Sequence, residues 1–327
     1  MLRSMNAVFS RLLQADRILV CGHIMPDGDC ISSLLSLSIG LERIGKSVVP
    51  VVDWKIPTVF EGLPWVERIE GFSTSLPEFD LLVVLDSSSP DRIGRFEKLL
   101  SKISSVLIDH HATNTYFADT CWVDPSFSST AHMVFRLLKL MEVPYDRDLA
   151  LINYLGIATD TGFFRYSNVD SSVFETAAEL VRLGADPCLV ATRILENRRI
   201  EEFFLERDAI DNLKLLADGK FAYSFLDTKD FEKYALEEDD FAGFVGQLRS
   251  ISSVEVALFA SEYQKGEAHV SLRSKSYFDV SEVAVAFGGG GHPKASGFTL
   301  RYDGILKEAL QDVVSFIDSR LANSIGS

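Results

Sequence analysis

The chain has 327 residues, 47% of them hydrophobic, and a formal net charge of −15 from 32 basic and 47 acidic side chains. This length allows two domains with separate cores, and the composition excludes a largely disordered chain. Proteins that bind long nucleic acids usually carry a basic surface, which this acidic chain lacks as a whole, so we do not expect long duplexes as partners.

The first half of the chain has the pattern of an open α/β sheet. Residues 1–16 are predicted to form an amphipathic helix and lack the apolar core of a signal peptide. Short runs rich in valine, isoleucine and leucine follow at residues 17–23, 47–53, 80–86 and 104–109. Helical stretches lie between or after them, the first at residues 31–44. Near-continuous apolar strands that alternate with helices predict a parallel sheet covered on both faces.

The pattern becomes helical at about residue 128, with helices predicted over residues 130–141, 146–158, 171–183 and 187–195. A charged stretch with few core positions follows, and we interpret it as a linker helix. Further strands are predicted at 221–226, 254–261, 268–272 and 295–300, and helices at 241–248, 280–287 and 305–321. We therefore predict an α/β protein, with a parallel-sheet domain over residues 1–192, a linker helix over 193–216 and a smaller α+β domain over 217–327.

The four cysteines, at positions 21, 30, 121 and 188, are scattered and form no CxxC pair. This spacing indicates neither a zinc site nor a disulfide framework. Free thiols are typical of a reducing cytoplasm. No apolar run reaches the ~18 residues of a membrane span. We therefore expect a cytoplasmic protein that does not associate with a membrane.

Four short motifs of aspartate and histidine follow apolar runs along the chain. They are Asp109-His110-His111, the segment from His23 to Asp29, Asp86, and Asp160. In open parallel sheets, ligands bind beyond the carboxyl ends of the strands, where three of these motifs fall. Carboxylates that meet without cations would repel one another, and two divalent ions would compensate four such charges. Imidazole among the ligands favours Mn²⁺ over Mg²⁺ or Ca²⁺, so we predict two divalent ions, Mn²⁺, in a metal-dependent hydrolase.

A glycine-rich segment in the last third of the chain is a candidate phosphate-binding loop. The run Gly288–Gly291 joins a predicted helix directly to an apolar strand, which disfavours a linker. Glycines let backbone N–H groups approach an anion, and His292 and Lys294 add charge beside them. Arg273, at the end of a predicted strand, is a candidate for bidentate phosphate contact, and Arg249 is a further candidate.

In this order, the motifs resemble those of the DHH phosphoesterase superfamily. The residues that carry the resemblance are Gly22 to Asp29, Asp86, Asp109 to Asn114 and Asp160-Thr161-Gly162. The segment Gly288–Phe298 resembles the nucleotide-binding loop of the DHHA1 domain that accompanies the DHH domain. The resemblance spans most of the chain, and its size and arrangement are similar to those of the nanoRNase group of oligoribonucleases and pAp phosphatases.

The resemblance implies a role for each motif residue. One ion would be held by His23, Asp27 and Asp86, and the second by Asp29, Asp86, His110 and Asp160, so that Asp86 bridges the two. Asp109 would orient its neighbours, and His111 would face the scissile phosphate. The nucleotide of the substrate would be held by Arg273 and the loop residues, which are Gly289, Gly290, Gly291 and His292, with Lys294 and Arg249 nearby.

Two positions depart from the family pattern. Cys30-Ile31-Ser32 stands where Ala-Ile-Gly is usual, and His132 stands where glutamate is usual. We expect neither to touch a metal ligand, and both to bear on substrate preference more than on activity.

The resemblance implies a manganese-dependent phosphoesterase that hydrolyses short oligoribonucleotides to mononucleotides and pAp to AMP. Other activities of the same centre stay open, namely a phosphodiesterase for cyclic di-AMP or pApA and an exopolyphosphatase. A non-catalytic nucleotide-binding protein is an alternative from another class, and it would be expected to lack a metal ligand. The sequence leaves open the cleavage polarity and the preference for RNA or DNA. It also leaves open the oligomeric state, for which a homodimer is one alternative.

Overall fold

A computed structural model describes residues 2–73, 78–236 and 243–324, and within these ranges the side chains of residues 4–321. The chain forms two compact units, Met1–Asn197 and Arg198–Ser327. Residues 241 and 242 of the helix predicted over 241–248 lie outside the described residues. No helix of the described part of the chain is long and apolar enough to cross a membrane.

The first unit is built on a parallel sheet in the strand order β1-β6-β5-β4-β2-β3. Its strands are β1 (Leu2–Arg3), β2 (Arg17–Cys21), β3 (Ser47–Val51), β4 (Leu81–Leu85), β5 (Ser105–Asp109) and β6 (Thr120–Val123). Every residue of β4 and β5 is buried, as expected for central strands covered on both faces. The prediction of a parallel sheet is confirmed, and β6 is a strand that the sequence pattern did not indicate because it is only four residues long.

In the part of this unit that the structure describes, six α-helices accompany the sheet. Each begins after a serine or aspartate whose side chain accepts a backbone N–H of the first turn. They are α1 (Met5–Gln14), α2 (Gly28–Arg43), α3 (Thr130–Leu140), α4 (Arg147–Asp160), α5 (Ser171–Arg182) and α6 (Pro187–Leu195). The predicted helices therefore form, within a few residues of the expected ends.

Small residues let α2, α3 and α4 approach closely. The Ser32 hydroxyl of α2 donates to the Ile152 carbonyl of α4 at 2.5 Å. The Asn153 side chain of α4 donates to the Ala131 carbonyl of α3 at 2.8 Å. Gly156 faces the same contact, because a Cβ there would lie 2.5 Å from Ser32 Oγ. The starts of α2 and α3 and the end of α4 are thereby fixed against one another.

The second unit is a mixed sheet in the order β11-β12-β10-β9-β8-β7, in which β8 and β9 are parallel and the other neighbours antiparallel. Its strands are β7 (Lys214–Leu216), β8 (Phe221–Leu226), β9 (Val256–Gln264), β10 (Glu267–Ser274), β11 (Gly290–His292) and β12 (Ala295–Arg301). Its helices are α7 (Ile200–Asp211), α8 (Thr228–Tyr234), α9 (Phe244–Ser250), α10 (Val280–Ala286), α11 (Leu306–Ala309) and α12 (Gln311–Ser324). The predicted α+β character of this part is confirmed.

The segment interpreted as a linker, 193–216, contains the end of α6, all of α7 and β7. Leu205 and Ala209 of α7 are fully buried and belong to a core cluster with Leu226 and Phe231. Helix α7 therefore packs as part of the second unit.

We expect Gly156→Ala to destabilise the first unit. The added methyl group would lie 2.6 Å from Ala131 Cβ as well as against Ser32. Overpacking of this kind costs about 1–3 kcal/mol, which exceeds the gain of about 0.5–1 kcal/mol from replacing a helical glycine. Urea denaturation followed by tryptophan fluorescence measures this unit, since all three tryptophans, at positions 54, 65 and 122, lie in it.

Gly71→Ala is the control, because a Cβ at Gly71 meets nothing within 4 Å. If both variants unfold at the same urea concentration, the added methyl group is accommodated and the close approach of α2, α3 and α4 does not require glycine at position 156.

Candidate functional site

The first group of candidate ligands forms where β2 ends and α2 begins. His23 Nδ1 lies 2.7 Å from the Ile24 carbonyl oxygen, which turns Nε2 toward two carboxylates. Nε2 lies 3.5 Å from Asp86 Oδ2 and 3.8 Å from Asp27 Oδ1. Asp27 also caps α2, because its Oδ1 accepts the backbone N–H groups of Asp29 and Cys30. His23, Asp27 and Asp86 thus offer three ligand atoms to one point.

The second group shares Asp86 with the first. His110 Nε2 lies 3.7 Å from Asp86 Oδ1, 3.6 Å from Asp160 Oδ2 and 3.9 Å from Asp29 Oδ2. The carbonyl oxygen of Phe127, 3.4 Å from His110 Nδ1, lies on the other side of this ring. The six residues that the family resemblance assigns to metal ions therefore lie together, with Asp86 between two groups.

Helix α3 holds two of these carboxylates. Asp29 accepts the backbone N–H groups of Thr130 at 2.7 Å and Ala131 at 2.8 Å. The Thr130 hydroxyl donates to Asp86 Oδ1 at 3.0 Å. Because a helix N-terminus stabilises negative charge, the first turn of α3 holds the Asp29 carboxylate in place. Sequence reasoning missed Thr130; the Ser129 cap marks the helix start, but nothing in the sequence pairs it with Asp29.

Asp109 orients His111 within a second network. His111 Nδ1 donates to Asp109 Oδ1 at 2.7 Å, and the Asn114 amide donates to Asp109 Oδ2 at 2.6 Å. The same amide donates to the Ser87 carbonyl at 3.0 Å and so connects the loop after β5 to the loop after β4. Burial opposes charge on His111, but the negative charge and hydrogen bond of Asp109 raise the pKa of His111 to about 9.

The carboxylates of this site repel one another. Burial and the charges of Asp86 and Asp160 raise the pKa of Asp29 well above its usual range. Burial likewise raises the pKa of Asp160 to about 6. Burial acts on Asp86 in the same direction, but its contacts with His23 hold the pKa of Asp86 well below its usual range. A divalent cation would relieve this repulsion, and the oxygen and imidazole donors fit such an ion.

The backbone is strained where it presents these ligands. Asp86 adopts a φ of +55° directly after β4, in the left-handed region that non-glycine residues rarely occupy. Gly162, Phe163 and Phe164 follow Asp160 with φ values of 57°, 57° and 62°. The Thr161 hydroxyl caps this turn by accepting the Phe164 N–H at 3.1 Å. Such strain persists only where the surroundings impose it, and it is concentrated at functional sites.

The two departures from the family pattern differ in their surroundings. Cys30 does contact a ligand residue, since its Sγ lies 4.0 Å from the His23 carbonyl oxygen. The expectation that it would not is wrong, because the first turn of α2 folds back over the loop that carries His23. His132 is buried between Ser128 and Thr176, and burial lowers the pKa of His132 to about 4, so it is a neutral packing residue.

The glycine-rich loop of the second unit is a tight hairpin. Gly290–His292 pairs with β12, so half of the loop is a strand. A Cβ at Gly289 would lie 2.2 Å from the Gly297 carbonyl oxygen, and one at Gly291 would lie 2.6 Å from that of Ala295. The backbones approach so closely that packing by itself requires glycine at both positions.

The sheet register places Arg273 and His292 on one face of the second unit. Arg273 pairs with Ala295, and Ala295 pairs with His292. Residues opposite one another point to the same face, and two strand spacings separate Arg273 from His292 by ~10 Å. Arg249 lies in α9, outside this row.

Lys294 has a structural role in the same hairpin. Its ammonium donates to the carbonyl oxygens of Ser276 and Phe278, the latter at 3.1 Å. It therefore ties the hairpin to the loop that follows β10.

Both units match known families. Residues 17–157 match the DHH family, N-terminal domain, and residues 218–323 match the DHHA1 domain. The bifunctional oligoribonuclease and PAP phosphatase NrnA of Thermus thermophilus is 34% identical over 284 residues, which cover 87% of this chain and 84% of the relative. The cyclic-di-AMP phosphodiesterase PdeA of Listeria monocytogenes is 26% identical, over 96% of this chain and 49% of the relative. The structure of an exopolyphosphatase-related protein from Bacteroides fragilis superposes with a TM-score of 0.87 at 26% identity, over 97% of both chains.

We expect Asp160→Asn to stabilise the metal-free first unit at pH 7.5 by about 1–3 kcal/mol. Because the pKa of Asp160 is raised to about 6, the folded state binds more protons than the unfolded state between pH 4 and 6, and stability falls as the pH rises through this range. The difference between variant and wild type should therefore vanish below about pH 4. Chemical denaturation in EDTA at several pH values, followed by tryptophan fluorescence, measures it.

The same variant should gain less stability than the wild type when a divalent cation is added. Saturation at 100 times the Kd stabilises a protein by about 2.7 kcal/mol, and loss of a ligand raises the Kd. Asp91→Asn, an exposed aspartate of the same unit, is the control. An equal cation-induced gain in all three proteins would remove Asp160 from the ligand set.

Proposed function

Because this chain belongs to the DHH/DHHA1 family of phosphoesterases, which are hydrolases of phosphoester bonds, we propose that it hydrolyses short oligoribonucleotides to mononucleotides and pAp to AMP. The observation that carries the proposal is the pair of ligand groups that share Asp86 at the carboxyl edge of the parallel sheet. The name of the Thermus thermophilus relative supports the choice of substrates.

Two divalent ions, for which we propose Mn²⁺, would be held by the two groups. His23 and Asp27 would hold one, Asp29, His110 and Asp160 the other, and Asp86 both. Bound ions of this kind activate a water molecule as nucleophile and offset the charge of the phosphoryl group. The ligand imidazoles are already oriented, because the Nδ1 of each faces a backbone carbonyl and the Nε2 faces the carboxylates.

We assign His111 the contact with the scissile phosphate. Asp109 keeps the proton of His111 on Nδ1, and its carboxylate favours the charged form of the ring. A fixed cation beside a phosphoryl group stabilises the charge that its oxygens carry in the transition state. Asn114 holds Asp109 from the other side and so fixes the carboxylate that orients His111.

In the second unit, Arg273 and His292 are the residues that we propose for binding a phosphate or a nucleotide. Arg273 and His292 share one face of its sheet, and a guanidinium and an imidazole suit a phosphate or a nucleotide. The chain as a whole is acidic, with a net charge of −15. Short substrates that need few phosphate contacts therefore fit this protein better than long strands.

Asp86→Asn and His111→Ala should separate metal binding from turnover. We expect Asp86→Asn to reduce hydrolysis of pApA to background and to weaken the stabilisation by Mn²⁺, because both ligand groups lose their shared carboxylate. We expect His111→Ala to lower kcat by about 10²- to 10³-fold, as for the loss of one donor to the transition state, while Mn²⁺ stabilises it as it does the wild type. Steady-state kinetics and thermal unfolding with Mn²⁺ measure the two effects.

Asp91→Asn is again the matched control, an exposed aspartate close to Asp86 in sequence. Retained hydrolysis in Asp86→Asn would overturn the bridging assignment. A loss of Mn²⁺ stabilisation in His111→Ala would make His111 a ligand.

A panel of substrates tests the proposed activity. With Mn²⁺, we expect kcat/KM for pApA and pAp to exceed those for cyclic di-AMP and polyphosphate. The second candidate is a cyclic-dinucleotide phosphodiesterase, since the Listeria monocytogenes relative bears that name and is similar over nearly the whole of this chain. A higher kcat/KM for cyclic di-AMP than for pApA would favour it, and tight binding without turnover of any substrate would indicate a nucleotide-binding protein.

A further inference from the structure

Arg92 is fixed beside His23 by the backbone. It lies in the helical turns of Pro90–Leu99 that follow β4, and its carbonyl oxygen accepts the Ile24 N–H at 2.7 Å. Its guanidinium Nη2 lies 3.3 Å from His23 Nδ1. Arg92 is partly buried, and the sequence motifs assign it no role. The loop that carries Asp86 thus also brings a cation to the loop that carries His23.

The contact between Arg92 and His23 joins two hydrogen-bond donors. His23 Nδ1 lies 2.7 Å from the Ile24 carbonyl oxygen, and this hydrogen bond needs a proton on Nδ1. A guanidinium has no acceptor, so a protonated Nδ1 cannot bond to it. Arg92 therefore lies next to His23, but its guanidinium N–H groups do not donate a hydrogen bond to the imidazole.

Arg92 also has no carboxylate partner among the residues that the structure describes. Arg95, three residues later in the same turns, differs in this respect, because it forms an ion pair with Asp53. Arg92 is only partly buried, and its guanidinium has no fully buried atom that lacks a partner, so it stays accessible to solvent and to an anion. In a chain with a net charge of −15, an unpaired arginine at the rim of a candidate phosphoesterase centre is a site for an anion.

The imidazole ring sets the position of that anion. Nε2 of His23 faces Asp27 and Asp86, where an ion would bind. Arg92 lies beside the other ring nitrogen, Nδ1. The guanidinium is therefore separated from the proposed ion, and from a phosphate hydrolysed there, by the width of the imidazole ring. Its planar fork matches the paired oxygens of a second phosphate.

We propose that Arg92 forms a subsite for a second phosphate of the substrate, next to the ester that is cleaved. The proposal rests on the proposed function and deepens it, because it makes the chain selective for substrates with two phosphates. pApA and pAp carry two, whereas bis(p-nitrophenyl) phosphate carries one and needs only the metal centre.

The test compares the wild type with Arg92→Gln and Arg92→Lys. We expect Arg92→Gln to reduce the ratio of kcat/KM for pApA to that for bis(p-nitrophenyl) phosphate by about 10-fold or more, through KM, because a charge-assisted contact is lost. Arg92→Lys should restore part of the ratio, since it keeps the charge without the fork. The stabilisation by Mn²⁺ should be retained in both variants. Arg95→Gln, whose guanidinium is paired with Asp53, is the matched control.

Binding of pApA measured by calorimetry gives a readout that does not depend on turnover. If the wild type hydrolyses none of these substrates, the proposed function fails, and a weaker affinity of Arg92→Gln for pApA would still support the subsite. An unchanged affinity and ratio in Arg92→Gln would overturn it. A parallel loss on both substrates with a loss of Mn²⁺ stabilisation would also overturn it, and would show that Arg92 acts by positioning His23.

Discussion

The first unit must compensate the repulsion among the buried and partly buried carboxylates at the edge of its parallel sheet, and much of its structure serves this requirement. Asp29, Asp86 and Asp160 all lie within 4 Å of one imidazole nitrogen of His110. Bringing such charges out of water and together is costly, and the raised pKa values of Asp29 and Asp160 express that cost. The fold tolerates the cluster because helix N–H groups, a hydroxyl and imidazoles surround it, and because its donors suit divalent cations that would complete the charge balance.

The groups that fix this cluster come from elements far apart in the sequence. Asp29 lies in the first turn of α2 and is held by the start of α3, about a hundred residues later. Asp109 ends β5, and through Asn114 it is tied to the loop after β4. Helices α2, α3 and α4 keep their spacing because Gly156 and Ser32 leave room for close contact. The packing of the helices therefore sets the geometry of the site, since a shift of α3 would move the hydrogen-bond donors of two carboxylates.

The glycine-rich loop of the second unit has a structural role. The glycine run resembles a ligand loop, yet Gly289 and Gly291 are also needed because neighbouring carbonyl groups leave no space for a Cβ. Lys294, a candidate for phosphate contact from its sequence position, donates to two backbone carbonyls. Arg273 and His292 are different, because the register of three strands places both on one face.

The sequence by itself determined the parallel α/β unit and the α+β unit, because hydrophobic periodicity is a local signal. Its resemblance to the DHH superfamily supplied the six candidate ligands. It did not indicate β6, the contact of Cys30 with the His23 loop, or the roles of Thr130 and Arg92. These depend on which segments meet in space, and spacing along the chain does not encode that. Only the tertiary structure showed how Asp86 is held between the two groups: the left-handed backbone after β4 and the Thr130 hydroxyl set the direction of its carboxylate.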